Sequence, residues 1–188
     1  MAVEEKIDLD IFKLVNRAIT ESNNLVIMAN YLSQLLVGAL EIKGCVIFFL
    51  NPESKELEAL ASFGLSLKYM TKGPISIDRS IGATLRKEPV VIQDINVTNR
   101  LQYPEEAKKE GIGAIVSIPI MFHNEAIGAL RLYHSKVWDV SKRDIDSLMV
   151  LGENIGLAMT YTRVVQALSS VKDAINDVHS IWLSTNKA

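Results

Sequence analysis

The sequence of 188 residues contains one cysteine, no excess of basic residues and no long apolar run, and each shortage excludes a class of protein. Cys45 alone cannot form an internal disulfide or a multi-thiolate metal site. The formal net charge is -2, so the chain has no excess of basic residues that could neutralise phosphates, and we expect no nucleic-acid partner. No apolar run approaches the roughly 20 residues that span a bilayer, and the amino terminus has no signal-peptide core. We therefore expect a cytoplasmic protein with no membrane partner.

What the chain does contain is enough apolar sequence for one globular core. Hydrophobic residues make up 48% and charged residues 22% of the chain, values that argue against disorder. The length fits one domain with an extension, which we place at residues 1–163 and 164–188. Cys45 opens the apolar run 45–50 and is predicted to be a buried structural thiol.

The first half of the sequence predicts two helices and a central hairpin. Apolar residues recur at helical spacing from Ile7 to Ile42, with a break near residues 21–24. The run 45–50 is apolar on both faces, as in a central strand, and a turn leads to a second strand over 56–63. In that second strand, regular alternation places Leu57, Ala59, Ala61 and Phe63 on one face.

The middle of the chain, residues 64–111, reads as short elements joined by loops. We expect a short strand after Pro74, a helix over 81–87 that Ser80 caps, a strand over 90–92 and a helix over 104–110. A second hairpin follows, with strands over 114–122 and 126–133. Ser141 then caps a long helix, with Asp144 at the third helical position as a weak capping box.

The last helix carries an apolar seam that steps by four and three residues without a miss. Such a heptad seam is typical of a coiled coil, so we expect a homodimer. The alternative is that the seam packs on the chain's own N-terminal helix. The candidate interface residues beyond the domain core are Leu157, Tyr161, Val164, Leu168, Val171, Ile175, Val178 and Trp182.

The order of the predicted elements resembles that of the GAF domain family, over about residues 10–165. Three short motifs strengthen the resemblance. They are the hairpin formed by 117–120 and 127–132, the Trp138-Asp139 pair before the capped helix, and the segment 91–94 before a loop. The resemblance implies an α+β fold with an antiparallel sheet of about six strands, helices on both faces and a long C-terminal coiled-coil helix. It also implies a sensory role, with a ligand pocket under the irregular middle segment and a dimer formed by the terminal helices.

The ligands of this family differ in the residues that they require. A covalent bilin needs a cysteine at the pocket, and Cys45 lies in a predicted central strand, so we expect no bilin. Haem needs an axial ligand, and only His134 could face a pocket mouth, so we expect no haem. Ser135-Lys136, Trp138 and Asp144 match part of the cyclic-nucleotide pattern, but the same residues also fit an ordinary helix start.

We expect a regulatory domain and not an enzyme. One branch of the family reduces free methionine sulfoxide with several cysteines, which this chain lacks. A phosphate loop, a nucleophile elbow and a His-Glu metal motif are also missing from the sequence. Candidate ligand-binding residues are polar groups of the middle segment and strand residues that face it. They are Phe63, Arg79, Ser80, Ile81, Asp94, Arg100, Tyr103 and Ser117.

The function that we expect from these residues is sensing of an unidentified small molecule, relayed through the terminal helices of a homodimer. A kinase, cyclase or transcription effector domain in a longer parent chain would receive the signal. The alternative is a dimerisation or protein-docking module without a ligand. A pocket filled by Tyr69, Met70 or Tyr103 would favour that alternative.

Overall fold

The computed structural model describes residues 7–76 and 87–185, and the side chains of these residues except 76 and 178–185. Two helices open the chain, α1 (Leu9–Thr20) and α2 (Leu25–Leu40). Each begins at a residue whose side chain accepts two backbone N–H groups, Asp8 for α1 and Asn24 for α2. The predicted break between the two helices is confirmed.

The elements that follow alternate between hairpin strands and short helices. They are β1 (Gly44–Leu50), β2 (Glu56–Phe63), α3 (Leu67–Met70), β3 (Ile75–Ser76), β4 (Val90–Ile92), a 3-10 turn (Ile95–Val97), α4 (Pro104–Lys109), β5 (Ala114–Phe122), β6 (Glu125–His134) and α5 (Lys142–Thr185). The described strands form one sheet in the order β3-β2-β1-β6-β5-β4, and every neighbouring pair is antiparallel. The predicted antiparallel α+β fold is confirmed, although β3 is only two residues long. The predicted helix over 81–87 lies largely outside the described residues.

One face of the sheet is covered by α1, α2 and the first half of α5, and it holds the larger core. Leu32 and Leu36 of α2 are almost fully buried, as are Leu151 and Ile155 of α5. Two glycines let α5 approach the backbone of β5 closely. A Cβ atom built on Gly152 would lie 2.4 Å from the Pro119 carbonyl oxygen, and one on Gly156 would lie 2.0 Å from that of Met121.

The start of α5 is fixed by a hydrogen-bonded cap that also binds the backbone of Ile7. The Asp144 backbone N–H donates to Ser141 Oγ over 2.9 Å, and Ser141 Oγ–H donates to Asp144 Oδ2 over 2.9 Å. The other oxygen of this buried carboxylate accepts the Ile7 backbone N–H at 3.0 Å. Ser141 is thus the cap that the sequence predicts, and Asp144 joins the first residues described to the last helix.

The opposite face of the sheet carries a smaller core under α3 and α4. It contains Phe48 of β1, Tyr133 of β6, Tyr69 of α3 and Ala107 of α4. The sheet therefore has helices on both faces, but those on the second face are short. This second face holds the candidate site.

A bulge in β2 contradicts the predicted face for Phe63. Ile47 pairs with Ala61, whereas the next residue, Phe48, pairs with Ala59, so Leu60 is the extra residue. Leu57 consequently packs in the smaller core and Ala61 in the larger one, on opposite faces of the sheet. Strict alternation would have placed all four apolar residues together.

The last helix, α5, continues without a break through the domain boundary predicted at residues 163 and 164. The division into a domain and a C-terminal signalling helix therefore stays a prediction, because the helix itself has no break at these residues. Within the described part of the chain, no helix is both long and apolar enough to cross a membrane.

Candidate functional site

A small polar cavity lies on the second face of the sheet, between the strands and the segments that carry α3 and α4. Its volume is about 20 Å³, which leaves room for about one water molecule. Strands β5 and β6 form its floor, the end of α3 forms one wall, and residues 101–103 close it. The described lining residues are Tyr69, Lys72, Ile75, Leu101, Gln102, Tyr103, Ile115, Arg131 and Tyr133.

Arg131 brings a permanent positive charge to the cavity floor. It lies in the middle of β6, and its residue is 5% exposed. Its Nε–H donates to the buried hydroxyl of Ser117, its cross-strand partner, over a long 3.4 Å. Its guanidinium carbon is 5.1 Å from the centre of the Phe48 ring, a cation–π distance. These contacts fix the guanidinium on a platform of neutral groups.

Lys72 brings a second positive charge to the wall. Its Nζ donates to the Tyr69 carbonyl oxygen over 2.9 Å and lies 3.7 Å from the centre of the Tyr69 ring. Burial and the nearby charge of Arg131 lower the pKa of Lys72 to about 8, while Glu106 and Glu110 oppose that shift. The ammonium is therefore held where its charge is costly.

Two neighbouring residues, Gln102 and Tyr103, join one side of the cavity to Pro74 by hydrogen bonds. The Tyr103 hydroxyl donates to the Pro74 carbonyl oxygen over 2.9 Å, and Gln102 Nε2 donates to the same oxygen over 3.0 Å. Gly73 lies directly beneath Tyr103 with φ of 137°, a conformation that favours glycine. We call the contact of Gln102 and Tyr103 with Pro74 the latch.

Two tyrosines of the cavity lining, Tyr69 and Tyr133, pack against each other. The rings of Tyr69 and Tyr133 meet edge to face with centroids 5.9 Å apart. Burial raises the pKa of Tyr69 and of Tyr133, against the lowering effect of Arg131 on both. Both phenols therefore stay neutral across the ordinary pH range and act as hydrogen-bonding groups.

Of the predicted ligand-binding residues, the structure brings Tyr103 and Ser117 to the cavity. Tyr103 lines it, and Ser117 holds Arg131 from below. Arg79, Ser80 and Ile81 lie outside the described residues.

The other three predicted residues lie away from the cavity. Phe63 is 42% exposed, and the bulge places it with Ala61 on the face opposite the cavity. Asp94 caps the 3-10 turn by accepting the Asn96 backbone N–H at 2.8 Å, which is a local structural role. Arg100 is exposed and does not line the cavity.

Sequence reasoning missed Arg131 and Lys72, the two cations of the site. A signal for Arg131 was present, because it is the one charged residue between Ala126 and Tyr133 in a strand of otherwise apolar or small residues. Pairing the two strands of the second hairpin places it opposite Ser117, the polar residue of β5. Lys72 has no such signal, since it follows a short helix whose position depends on the tertiary fold.

Three of the groups considered for covalent, haem or nucleotide ligands, Cys45, His134 and Trp138, take part in packing or in hydrogen bonds of the fold. Cys45 is fully buried in β1, and burial raises the pKa of its thiol, as expected for a structural cysteine. His134 Nδ1 accepts the Lys136 backbone N–H at 2.9 Å, and Trp138 is 7% exposed. Within the described residues, no group of three or more His, Cys, Asp or Glu side chains could hold a metal ion.

A second candidate surface is the apolar seam of α5, which begins beside the end of α1 and continues along the exposed part of the helix. Its described members are between 52% and 67% exposed, whereas the opposite side of the helix packs on β5. The last helix does contact the N-terminal helix α1, as the alternative reading expects, but this contact leaves the described seam residues exposed. Exposed in the single chain are Leu157, Tyr161, Val164, Leu168, Val171 and Ile175. The side chains of Val178 and Trp182 lie outside the described ones.

The antiparallel sheet with helices on both faces is the fold of a known domain family. The family model described as GAF domain matches residues 23–160, and the chain belongs to this family. GAF domains are regulatory or sensory domains of signalling proteins. The match covers the sheet, the cavity and the part of α5 that packs on β5. A comparison with curated protein sequences finds no significant match.

Solved structures show the same fold at low sequence identity. The GAF domain of a phosphoenolpyruvate-protein phosphotransferase from Coxiella burnetii is 19% identical, with a TM-score of 0.75 over 85% of this chain and 96% of that one. A domain of a putative two-component sensor histidine kinase from Sinorhizobium meliloti 1021 is 18% identical, with a TM-score of 0.67 over 79% and 99%. Free methionine-R-sulfoxide reductase from Neisseria meningitidis is 13% identical, with a TM-score of 0.69 over 87% and 98%. These likenesses establish the fold and leave the ligand open.

Proposed function

We propose that this chain is a regulatory sensor that binds a small molecule in the latched cavity and relays its occupancy through α5 to a second copy of itself. The observation that carries the proposal is the continuity of α5. One helix begins at the Ser141 cap, lies against the backbone of β5 at Gly152 and Gly156, and ends in the exposed seam.

Strand β5 is the part that joins the cavity to the helix. Ile115 faces the cavity, whereas Ile118 and Ile120 face α5, and the residues of both sets are almost fully buried. Interiors this closely packed do not absorb a displacement locally, so a change on the cavity side moves the helix on the other. A shift of α5 changes the crossing angle or register at the seam.

The seam is the surface that a second copy would cover. Its spacing of four and three residues places one apolar stripe along the helix, and such stripes are stable in water only when another helix covers them. A groove of about 520 Å³ between the end of α1 and α5 continues this surface beside Leu157 and Tyr161. A homodimer through α5 is therefore the arrangement that we propose.

Sedimentation equilibrium of three proteins tests the dimer. Leu168→Asp places a charge in the seam, and we expect its dimer dissociation constant to rise at least about 100-fold, from the cost of burying an unpaired charge. Ser169→Asp is the matched control, because it adds the same charge to the next residue, off the seam and exposed. Wild-type protein that is monomeric at 100 μM, or a Leu168→Asp variant as dimeric as the control, would contradict the proposed seam.

We further propose a cytoplasmic protein without catalytic activity. The methionine sulfoxide reductase with the same fold does not carry its activity to this chain, because the single cysteine is buried in β1 with a raised thiol pKa. The signal would pass to an effector such as a kinase, a cyclase or a transcription factor domain in a longer parent chain. Incubation with free methionine sulfoxide and a thiol reductant should produce no methionine, and turnover would refute this part of the proposal.

A second candidate function is a docking or dimerisation module without a ligand. The size of the cavity favours it, since about 20 Å³ holds no organic molecule while Tyr69 and Tyr103 stay in place. The polar lining argues against it, because a structural filler would need neither Lys72 nor Arg131. A thermal-shift screen of nucleotides and metabolites separates the two: a compound that raises the melting temperature supports the sensor, and no response from a stable dimer supports the docking module.

A further inference from the structure

We propose that the two segments over the cavity, residues 66–74 and 101–110, open as a clamp at the latch and stay joined at a hinge formed by the carboxylate of Glu110. The purpose of this clamp rests on the proposed sensing function, because the closed cavity of about 20 Å³ admits no organic molecule. The motion belongs to the chain itself, so its test needs no ligand.

The hinge is a helix cap that two distant parts of the chain form together. Ser66 is the N-cap of α3, and its Oγ accepts the Tyr69 backbone N–H over 3.1 Å. In a capping box, a glutamate at the position of Tyr69 would accept the backbone N–H of the cap residue. Glu110, 44 residues from Ser66, takes that role. Its Oε1 accepts the Ser66 backbone N–H at 2.8 Å and its Oε2 accepts the Ser66 hydroxyl, so one carboxylate joins the start of α3 to the end of α4.

The hinge lies against the start of β1. Lys43, the residue before β1, places its Nζ 4.0 Å from Oε1 of Glu110, whose side chain is 10% exposed. Burial raises the pKa of this carboxyl, but hydrogen bonds from Ser66 and the charges of Lys43 and Lys72 lower it by more, so it is ionised at neutral pH. A Cβ atom built on Gly64, which has φ of 81°, would lie 2.2 Å from the Lys43 carbonyl oxygen. The hinge end therefore has little room to move.

The latch, at the other end of the same two segments, is bound more weakly. Its hydrogen bonds join neutral groups, and their acceptor, the Pro74 carbonyl oxygen, belongs to an exposed residue. Charge-assisted hydrogen bonds are roughly twice as strong as neutral ones. Water also replaces the latch donors at Pro74 once the latch opens, which reduces the net cost of opening. The two segments therefore separate first at the latch, while Glu110 keeps them joined.

Opening at the latch would enlarge the space available to a ligand. A groove of about 320 Å³ lies between α3 and α4, and Tyr69 lines both this groove and the cavity. A displacement of Tyr69 with α3 joins the two spaces. The groove by itself already has the volume of a small-molecule site, for which about 300 Å³ is the lower bound.

Amide hydrogen exchange, followed by NMR at pH 7, tests where the clamp opens. Tyr103→Phe removes one hydrogen bond of the latch. Exchange should then rise at least about 3-fold at the amides of Thr71 and Ala107, which lie towards the latch. The Ser66 amide, at the hinge, should change less than about 2-fold. Tyr31→Phe removes an exposed hydroxyl from α2 and is the matched control.

Removal of the hinge should affect both segments. Glu110→Ala should raise exchange at least about 10-fold at the Ser66 amide, because a charged acceptor is lost, and also at the Ala107 amide of α4. Glu110→Gln keeps an acceptor without the charge and should give a smaller rise at both amides. Glu105→Ala removes an exposed carboxylate from the first turn of α4 and is the matched control. Unchanged exchange in β6 shows that each variant is folded.

Three results would overturn the hinge. If Tyr103→Phe raises exchange at Ser66 as much as at Ala107, the two segments detach together. If Glu110→Ala acts on the amides of Ser66 and Tyr69 alone, Glu110 is a local cap of α3. Variants that exchange no faster than their controls would also refute the clamp. Each of these results leaves the sensing function standing, because a compound that raises the melting temperature would still show a bound ligand.

Discussion

The contact between α5 and β5 makes a quantitative prediction for Gly156→Ala. The new Cβ atom would lie 2.0 Å from the Met121 carbonyl oxygen and 2.8 Å from the Met121 carbonyl carbon. Both are backbone atoms, so no side-chain rotation relieves the overlap and the helix must move away by about 1 Å to restore contact distance. Overpacking of this kind costs up to about 3 kcal/mol, and the better helix propensity of alanine returns about 1 kcal/mol. We expect a net loss of about 2 kcal/mol in the free energy of unfolding.

Gly38→Ala is the matched control for this prediction. Gly38 also lies inside a helix, α2, but a Cβ atom built on it meets nothing within 4 Å. The same substitution should therefore stabilise the protein by up to about 1 kcal/mol. Urea unfolding of wild type and both variants, at one protein concentration, gives the comparison. A Gly156→Ala variant as stable as wild type or more stable would refute the close approach of α5 to β5, and with it the proposed route of the signal.

Three further predictions concern single residues. Asp144→Ala leaves the buried Ile7 N–H without its acceptor and should lower the free energy of unfolding by about 1–3 kcal/mol in urea, whereas Asp146→Ala on the exposed side should not. Cys45 should not react with Ellman's reagent in the folded protein, because burial raises its pKa, and one thiol should react in guanidinium. Between pH 8 and 10.5 the folded chain binds fewer protons at Lys72 than the unfolded chain does, so stability should rise with pH there. Lys72→Met should flatten that rise, and an unchanged slope would contradict the placement of this lysine.

The fold follows from the sequence where the pattern is local. The strand ends of β5, the limits of β2 and the Ser141 cap all agree with the sequence prediction because apolar alternation and cap residues act over a few positions. The seam of α5 could be predicted for the same reason, since a heptad repeat is a property of one helix. The α+β GAF fold followed from the order of these elements.

The site could be predicted only in part, because its residues come together through tertiary structure. Phe63 was misplaced by a one-residue bulge that no composition signal marks, since Leu60 is an ordinary strand residue. Asp94 and Arg100 are polar residues of the right segment, but a loop sequence does not reveal whether a side chain turns inward. Arg131 lies in a strand whose partner the sequence does predict, but which face of that hairpin carries the cavity depends on tertiary structure.

The central claim, a ligand-sensing dimer, is tested most directly by native mass spectrometry of freshly purified protein against its denatured mass. We predict a dimer with added mass on each protomer, and that mass identifies the class of the bound molecule. A dimer without added mass would support the docking module instead of the sensor. A monomer at micromolar concentration would contradict the relay through the α5 seam.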